Sequence, residues 1–273
     1  MASLRDAVYG VAVGDALGLP VQFEDRDSYE LKDMVGYGTF GLPEGSWSDD
    51  TSLTIATCAS VKEVGGVDIV DIRNRFEDWL FNGNYTPYGS AYDIGGTCDK
   101  AINAGKGCTD EWSNGNGSLM RIIPLAFVPE ITDNEVAEVS AITHAHPRAI
   151  CGCIIYVNIA KGLLEGRTLK DCILEYVDKN SEYSRIRHIE ELSREEIKSS
   201  GYVVDTLEAA MWCLLTTSSY QDCILKAVNL GDDTDTVGAV AGGLAGIIYG
   251  MGGIPEEWIS KLQKREVIEE CLF

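Results

Sequence analysis

Histidine and positive charge are both scarce in this sequence. Its 273 residues include three histidines, and 22 Lys and Arg stand against 43 Asp and Glu, which gives a formal net charge of −21 at pH 7. Nucleic acids and anionic membranes attract proteins with a net positive surface, so the charge argues against both as partners. Cations and cationic groups are better matched to such a chain.

Paired cysteine motifs are missing as well. The nine cysteines are scattered and form no CxxC pair, and none is placed with a histidine at the spacing of a tetrahedral zinc site. Most of them fall in apolar periodic stretches, where a free thiol behaves as a small hydrophobe. The N-terminal stretch has no basic region followed by a signal-type cleavage site. We therefore expect a cytoplasmic protein with reduced thiols.

One uncharged run, at 237–254, reaches the minimum length of a membrane span. It contains seven glycines, has acidic flanks and lacks a cluster of Lys or Arg at either end. Membrane helices are normally anchored by such basic clusters, so the run is predicted to be a buried core helix. Its glycines at 238, 242 and 246 share one helical face, which predicts close approach of a neighbouring helix.

Apolar residues recur at three- and four-residue spacing along most of the chain, and alternation with period two is rare. The clearest stripes occupy 4–12, 69–80, 169–177 and 223–228. Helix-start signals are Asp68, Asp133, Thr168 and Ser219 as N-caps, with Pro147 and Pro255 as first helical residues. No repeat, linker or composition shift is visible. We expect an all-α fold of ten or more helices in a single domain spanning 1–273, with long functional loops at 25–47 and 81–120.

Two acidic clusters stand directly before apolar helical segments. They are Ser-Asp-Asp-Thr at 48–51 and Asp-Asp-Thr-Asp-Thr at 232–236. One carboxylate at a helix start can cap backbone N–H groups and contribute roughly 0.5–2 kcal/mol, but further carboxylates in the same turn add repulsion. Hard oxygen donors at this density suit Mg²⁺, Mn²⁺ or Ca²⁺. The sequence therefore favours a metal site, of one or two ions, over capping alone.

Two other interpretations of the second cluster are weaker. An EF-hand loop counted from Asp233 would need oxygen ligands at Val237 and Leu244, so it fails. The run DTDTV at 233–237 also matches the nucleophile loop of haloacid dehalogenase-like phosphohydrolases. That loop follows a β-strand, whereas this run follows a helical stripe. A metal-dependent phosphohydrolase therefore stays as the less favoured alternative.

Six blocks of the sequence resemble the ADP-ribosylglycohydrolases, among them the enzymes that reactivate ADP-ribosylated dinitrogenase reductase. The blocks lie in the family's order at 10–24, 47–54, 91–102, 115–126, 143–149 and 229–250. The resemblance implies an all-α orthogonal bundle with a binuclear Mg²⁺ or Mn²⁺ centre. It implies a hydrolase that cleaves the bond at C1 of the distal ribose in an ADP-ribosylated protein or an ADP-ribosyl small molecule. A non-catalytic ADP-ribose-binding relative is the alternative.

The resemblance also implies roles for individual residues. The metal ligands would be Ser48, Asp49, Asp50, Asp233, Asp235 and Thr236, with Asp50 and Asp235 essential for catalysis. Ser48 stands where the family commonly has threonine, which keeps the oxygen donor but restrains its rotamer less. Asp232 lies outside the match and is expected only to cap or orient.

Further roles concern the proton and the substrate. Glu24 or Asp93 is expected to handle the proton, and Asp93 also to position the distal ribose or the leaving group. The substrate-binding residues would be Asn116, Gly117, Ser118, Met120 and His144. For His144, a buried structural role is the alternative. Which amino-acid linkage is cleaved does not follow from the sequence.

Overall fold

The fold was analysed in a computed structural model that describes residues 2–179 and 181–273. Within these ranges the chain forms twelve α-helices and no β-strand, and its only bridges are two isolated ones, Cys108 with His144 and Gly115 with Tyr202. The helices are α1 (Leu4–Gly18), α2 (Asp49–Val64), α3 (Ile69–Asn82), α4 (Gly96–Ala104), α5 (Asp133–Ser140), α6 (Pro147–Leu164), α7 (Leu169–Tyr176), α8 (Val203–Leu215), α9 (Tyr220–Val228), α10 (Thr234–Tyr249), α11 (Glu256–Lys261) and α12 (Arg265–Cys271). The all-α prediction is confirmed.

Glycines bring α1 and α10 into backbone contact at the centre of the molecule. A Cβ atom built on Gly10 would lie 2.1 Å from the carbonyl oxygen of Gly242, and one on Gly14 would lie 2.0 Å from that of Gly238. No side chain fits between the helices at these points. The predicted close approach at the α10 glycines is thus confirmed, and its partner is the N-terminal helix.

Replacing Gly10 with alanine is expected to lower the free energy of unfolding by roughly 3 kcal/mol, because the new methyl group meets rigid backbone and one helix must shift. Gly66→Ala is the matched control, since a Cβ there has nothing within 4 Å. That change should leave stability unchanged or raise it by up to about 1 kcal/mol. Urea denaturation of both variants measures the difference. Equal stabilities would contradict the packing described for α1 and α10.

The predicted helix starts agree with the structure to within one residue. Asp68, Thr168 and Ser219 cap α3, α7 and α9, and Pro147 is the first residue of α6. Asp133 is the first residue of α5 and not its N-cap, because Thr132 caps the helix and forms the capping box with Glu135. Pro255 lies one residue before α11.

The interpretation of 81–120 as one long loop is wrong, because α4 lies within it. Gly95 precedes this helix and offers no side-chain cap, and only Cys98, Ala101 and Ile102 of α4 are buried. Such a short helix with three buried residues has too weak a stripe to be recognised from spacing. The segment 25–47 contains no helix, as predicted.

The prediction of a buried core helix at 237–254 is confirmed as far as Ile247. Beyond it, Ile248 is 39% exposed, α10 ends at Tyr249 before Gly250 with its positive φ, and Gly252 and Gly253 are exposed. A different helix, α6, is long and apolar enough to cross a membrane, and half of it is buried inside the protein. A core helix meets the same two criteria of length and composition. All nine cysteines are free, and only Cys151 is partly exposed.

Candidate functional site

The two acidic clusters lie side by side at the starts of α2 and α10. Thr236 Oγ1 lies 3.4 Å from Asp50 Oδ2, and Ser48 Oγ lies 3.2 Å from the same oxygen. Helix α1 brings the two starts together. The carboxylate of Asp15 in α1 accepts a hydrogen bond from the backbone N–H of Ser48, at the start of α2. Gly18, at the end of α1, packs against α10 so closely that a Cβ on it would lie 2.4 Å from the Cα of Asp235.

The start of α2 is capped without Asp49 or Asp50. The backbone N–H groups of Ser48 and Thr51 donate to the carboxylate of Asp15 at 2.9 and 3.0 Å, and the Thr51 hydroxyl donates to it at 2.6 Å. Ser48 Oγ accepts from the Asp50 N–H at 3.4 Å. The carboxylates of Asp49 and Asp50 are therefore free for another role.

At α10 the carboxylates contribute little capping. Asp233, the N-cap residue, makes no side-chain bond to the helix backbone. Its Oδ2 instead accepts from the Asn116 side-chain amide at 2.7 Å. Asp235 accepts from the N–H of the adjacent Thr236, at 2.8 Å. Capping alone therefore does not account for the second cluster.

Burial makes these carboxylates costly to ionise. Asp49, Asp50 and Asp235 are 6%, 1% and 0% exposed. Burial, followed by repulsion from neighbouring carboxylates, raises the pKa of each well above its ordinary value. Burial also raises the pKa of Asp15 to about 7, against the opposing effect of its hydrogen bonds to Thr51 and Ser48. Negative charge here is unfavourable unless a cation neutralises it.

The donor atoms fit a hard divalent cation. Asp50 Oδ1 and Asp235 Oδ2 are buried without a hydrogen-bond partner among the described residues. Such oxygens are costly unless an ion or water meets them. In residues 2–179 and 181–273, no three His, Cys, Asp or Glu side chains are placed so that they alone could hold a metal ion. Hydroxyl oxygens of Ser48 and Thr236 and solvent would therefore complete a coordination shell. An all-oxygen set of this kind suits Mg²⁺, Mn²⁺ or Ca²⁺.

Asp50→Asn should stabilise the protein when divalent cations are removed by a chelator. A carboxyl group whose pKa is higher in the folded than in the unfolded state holds its proton better when folded, so the free energy of unfolding falls as pH rises above the ordinary value of 3.8. The asparagine side chain does not ionise, so the variant does not lose this free energy of unfolding as pH rises. The difference in free energy of unfolding between variant and wild type should therefore grow between pH 5 and 8 by at least about 1 kcal/mol. Urea denaturation at the two pH values measures it, and an advantage that shrinks with pH would contradict the electrostatics.

A cavity of about 400 Å³ opens above the acidic cluster, a size typical of small-molecule sites. Eight of the predicted site residues line it: Asp49, Asp93, Asn116, Gly117, Met120, His144, Asp233 and Thr236. Asp50, Asp235 and Ser48 do not line it. They are buried, and Asp50 contacts Thr236 of the wall and Ser48. The structure thus separates a deep acidic layer from a wall that a substrate can touch.

Neighbouring side chains of the loop at 115–120 point in different directions, so they contribute differently to the site. Asn116 donates its side-chain amide to Asp233 and, at 2.8 Å, to Thr206 Oγ1, so it positions a carboxylate. Ser118 is fully buried and accepts from Ser140 Oγ at 2.9 Å. It faces the core and not the cavity, so the structure does not place it with the predicted substrate-binding residues.

The two candidates for the proton-handling role are in different places. Asp93 lines the cavity, with its carboxyl group close to Asp235 and Gln22. Glu24 is exposed and lines a neighbouring depression. Its carbonyl oxygen accepts the N–H of Asp232 at 3.0 Å, which ties the loop carrying Glu24 to the start of α10. Asp232 itself is exposed.

Several residues of the site were missed by the sequence analysis. Asp15 interrupts the otherwise apolar run 7–19, and a buried charge in such a run needs partners, which was an available signal. Gln22 lines the cavity and its Oε1 is buried without a partner. Arg121 and Thr143 lie behind the cavity wall, and nothing in their spacing marks them.

A family model described as ADP-ribosylglycohydrolase matches residues 2–272. The chain belongs to this family. It is a hydrolase that acts on glycosyl bonds of ADP-ribosyl groups, and the all-α bundle is the fold that the resemblance implied.

Named relatives and a solved structure agree with the family. The chain is 34% identical to ADP-ribosylarginine hydrolase Tri1 of Serratia proteamaculans, over 97% of this chain and 76% of that one. It is 33% identical to ADP-ribosyl-[dinitrogen reductase] glycohydrolase of Rhodospirillum rubrum, over 95% of this chain and 90% of that one. A structure described as an ADP-ribosylglycohydrolase-related protein complex superposes with a TM-score of 0.81 and 31% identity, covering 98% of this chain and 95% of that one.

Proposed function

We propose that this ADP-ribosylglycohydrolase releases ADP-ribose from modified arginine side chains of proteins, with Mg²⁺ or Mn²⁺ held at the acidic cluster. The observation that carries the proposal is the pair of buried, unpaired oxygens, Asp50 Oδ1 and Asp235 Oδ2, behind the wall of the cavity. They lie in a cluster whose carboxylates are costly to ionise without a cation.

Two observations support arginine as the modified residue. The Serratia relative is named for hydrolysis of ADP-ribosylarginine, and its similarity extends over nearly the whole of this chain. The leaving group in that reaction is a guanidine, which is cationic once protonated. Asp93, which is not among the residues assigned to the cations, lines the cavity, and its carboxyl group can pair with such a group once ionised.

The acidic cluster would hold the cations through Ser48, Asp49, Asp50, Asp233, Asp235 and Thr236. Bound divalent cations supply positive charge and Lewis acidity for orienting ribose hydroxyl groups and a nucleophilic water. Asn116 keeps the carboxylate of Asp233 in place through its 2.7 Å hydrogen bond. Asp15 holds the first turn of α2 in register, because it accepts from the backbone of Ser48 and Thr51.

We infer that Asp93 exchanges a proton with the leaving group. Cleavage at C1 of the ribose builds positive charge on the sugar and requires a proton on the departing nitrogen. The carboxyl group of Asp93 lies at the cavity surface, whereas those of Asp50 and Asp235 lie behind it. We therefore assign proton transfer to Asp93 and not to Glu24.

The experiment that tests the proposed function compares three substrates in the presence of Mg²⁺. Arginine-ADP-ribosylated protein should release ADP-ribose, while serine-ADP-ribosylated protein and a generic phosphate ester should turn over far more slowly. Preference for the serine conjugate would overturn the assigned linkage. Hydrolysis of the phosphate ester alone would favour a phosphohydrolase, and tight binding of ADP-ribose without turnover of any substrate would indicate a non-catalytic relative.

Gly117→Ala is expected to raise KM by tenfold or more with a smaller effect on kcat. A Cβ at this position would lie 2.8 Å from His144 Cε1 and 3.2 Å from Cys98 Sγ, so the wall must move into space needed by the substrate. Gly95→Ala is the control, since Gly95 lines the same cavity and a Cβ there meets nothing within 4 Å. Steady-state kinetics on both variants measures this, and equal KM values would contradict the placement of Gly117.

A further inference from the structure

A buried arginine lies behind the cavity wall without an acidic partner. Arg121 is 0% exposed, and among the described residues no carboxylate forms an ion pair with it. Its guanidinium group lies 4.7 Å from the ring centroid of Phe76, and its Nε has no hydrogen-bond partner. Buried charges are normally paired. Arg121 contacts the sulfur of Cys98 and makes two hydrogen bonds to oxygen atoms. These two bonds indicate what its charge is used for.

Those two bonds join the two sides of the cavity wall. Arg121 donates through Nη1 to the carbonyl oxygen of Gly117 and through Nη2 to Thr143 Oγ1, the latter at 2.8 Å. Gly117 lines the cavity, and Thr143 directly precedes His144, which also lines it. Arg121 thus connects the loop at 115–120 to the histidine.

The donor and acceptor roles along this chain of contacts follow from the chemistry of each group. A guanidinium group only donates, so Thr143 Oγ1 accepts from Arg121. The same Oγ1 lies 2.8 Å from His144 Nδ1. The threonine hydroxyl hydrogen is then available for Nδ1, and the other neighbour is the sulfur of Cys98, a weak acceptor. Nδ1 therefore accepts, and in a neutral ring the hydrogen must be on Nε2.

The surroundings of His144 keep its ring neutral and leave Nε2 without a protein partner. Burial, and then the charge of Arg121, lower the pKa of His144 to about 3. No group of the described residues forms a hydrogen bond with Nε2, and a Cβ at Gly117 on the cavity wall would lie 3.3 Å from it. An N–H group on the cavity wall is a ready donor to a ligand oxygen.

We propose that Arg121 and Thr143 are positioning residues that hold His144 as an Nε2–H donor to an oxygen of the ADP-ribosyl group. The proposal rests on the proposed function only for the identity of that ligand. Neither positioning residue touches the substrate. Their effect is to decide which ring nitrogen carries the hydrogen and where that nitrogen points.

The tautomer can be measured on the free protein, without substrate or turnover. In ¹⁵N-histidine-labelled protein, two-bond ¹H–¹⁵N correlation spectra distinguish the tautomers, and His144→Gln assigns the resonance among the three histidines. We expect a single Nε2–H tautomer for wild-type His144. An Nδ1–H tautomer or a protonated ring would overturn the proposal whatever the protein hydrolyses, so its failure is distinct from failure of the proposed function.

Variants of Thr143 test the relay itself. Thr143→Val removes the hydroxyl, so the ring nitrogens should show averaged signals of both tautomers. KM for the ADP-ribosylated substrate should rise about tenfold, the effect of one oriented hydrogen bond, with kcat changed less. Thr143→Ser keeps the hydroxyl and should restore both readouts. A pure Nε2–H tautomer with unchanged KM in Thr143→Val, or no rescue by serine, would overturn the proposal.

Arg121→Lys tests the first step of the relay, because an ammonium group cannot reproduce the two-point donation of a guanidinium group. We expect the same averaged ring signals as those predicted for Thr143→Val, in a protein whose far-ultraviolet circular dichroism matches wild type. Ring signals and KM identical to those of wild type would remove Arg121 from the relay. Should this variant fail to fold, the wild-type tautomer and the two Thr143 variants still decide the proposal.

Discussion

Asp50→Asn and Asp235→Asn are each expected to lower the release of ADP-ribose by at least about 10³-fold, the scale of losing a principal electrostatic group of a catalytic site. Each change removes an oxygen that is buried without a hydrogen-bond partner, together with its negative charge. The asparagine side chain has nearly the same shape as aspartate, so packing is preserved. The loss should therefore appear in a folded protein, one that is more stable than wild type when a chelator is present.

Asp232→Asn is the matched control for this prediction. Asp232 belongs to the same acidic segment but is exposed. It lines the neighbouring depression and not the cavity. The variant should keep activity within a few-fold of wild type. Initial rates of ADP-ribose release at saturating Mg²⁺ provide the comparison. Equal losses in all three variants would mean that general negative charge, and not the buried pair, supports activity.

Asp93→Asn is expected to lower kcat by about 10²–10⁴-fold, the usual contribution of a proton-transferring group. Asp93 is partly exposed at the cavity wall, and burial raises the pKa of its carboxyl group. An amide in its place can still donate a hydrogen bond but cannot transfer a proton. KM should change much less than kcat, because the substrate contacts of the wall remain.

Glu24→Gln separates the two candidates for this role. Glu24 is exposed and does not line the cavity, so its replacement should lower kcat by less than about tenfold, well below the range of general acid catalysis. A substrate with a better leaving group provides a second check, since it should recover activity in Asp93→Asn. If Glu24→Gln proves the more damaging change, the proton passes through the loop at 22–25 and the assignment to Asp93 is wrong.

The long helices were predictable because the spacing of apolar and small residues along the sequence shows which residues share one helical face. The stripe at 4–12 and the glycines at 238, 242 and 246 each place their small or apolar residues on one face, which is enough to predict buried helices in close contact. Helix α4 escaped prediction because its buried side is too small to form a stripe. Spacing therefore performs well for long buried helices and poorly for short ones at the surface.

The site was predictable in composition but not in arrangement. Two clusters of aspartates in excess of what capping requires indicated a cation site, but their meeting depends on Asp15 and Gly18 of α1, which contact α2 and α10 respectively. The directions in which loop side chains point could not be predicted from the sequence either. Asn116 and Ser118 are two residues apart, yet one reaches Asp233 and the other faces Ser140. Those directions are set by contacts distant in sequence, which a local pattern does not contain.

Calorimetric titration of chelator-treated protein with Mn²⁺ tests the central claim most directly. Wild type and Asp232→Asn should bind Mn²⁺ saturably, with two ions per chain, and Asp50→Asn and Asp235→Asn should lose at least tenfold in affinity or one of the two ions. Absence of saturable binding to the wild-type protein, or wild-type binding by Asp50→Asn and Asp235→Asn, would contradict a cation site built from the starts of α2 and α10.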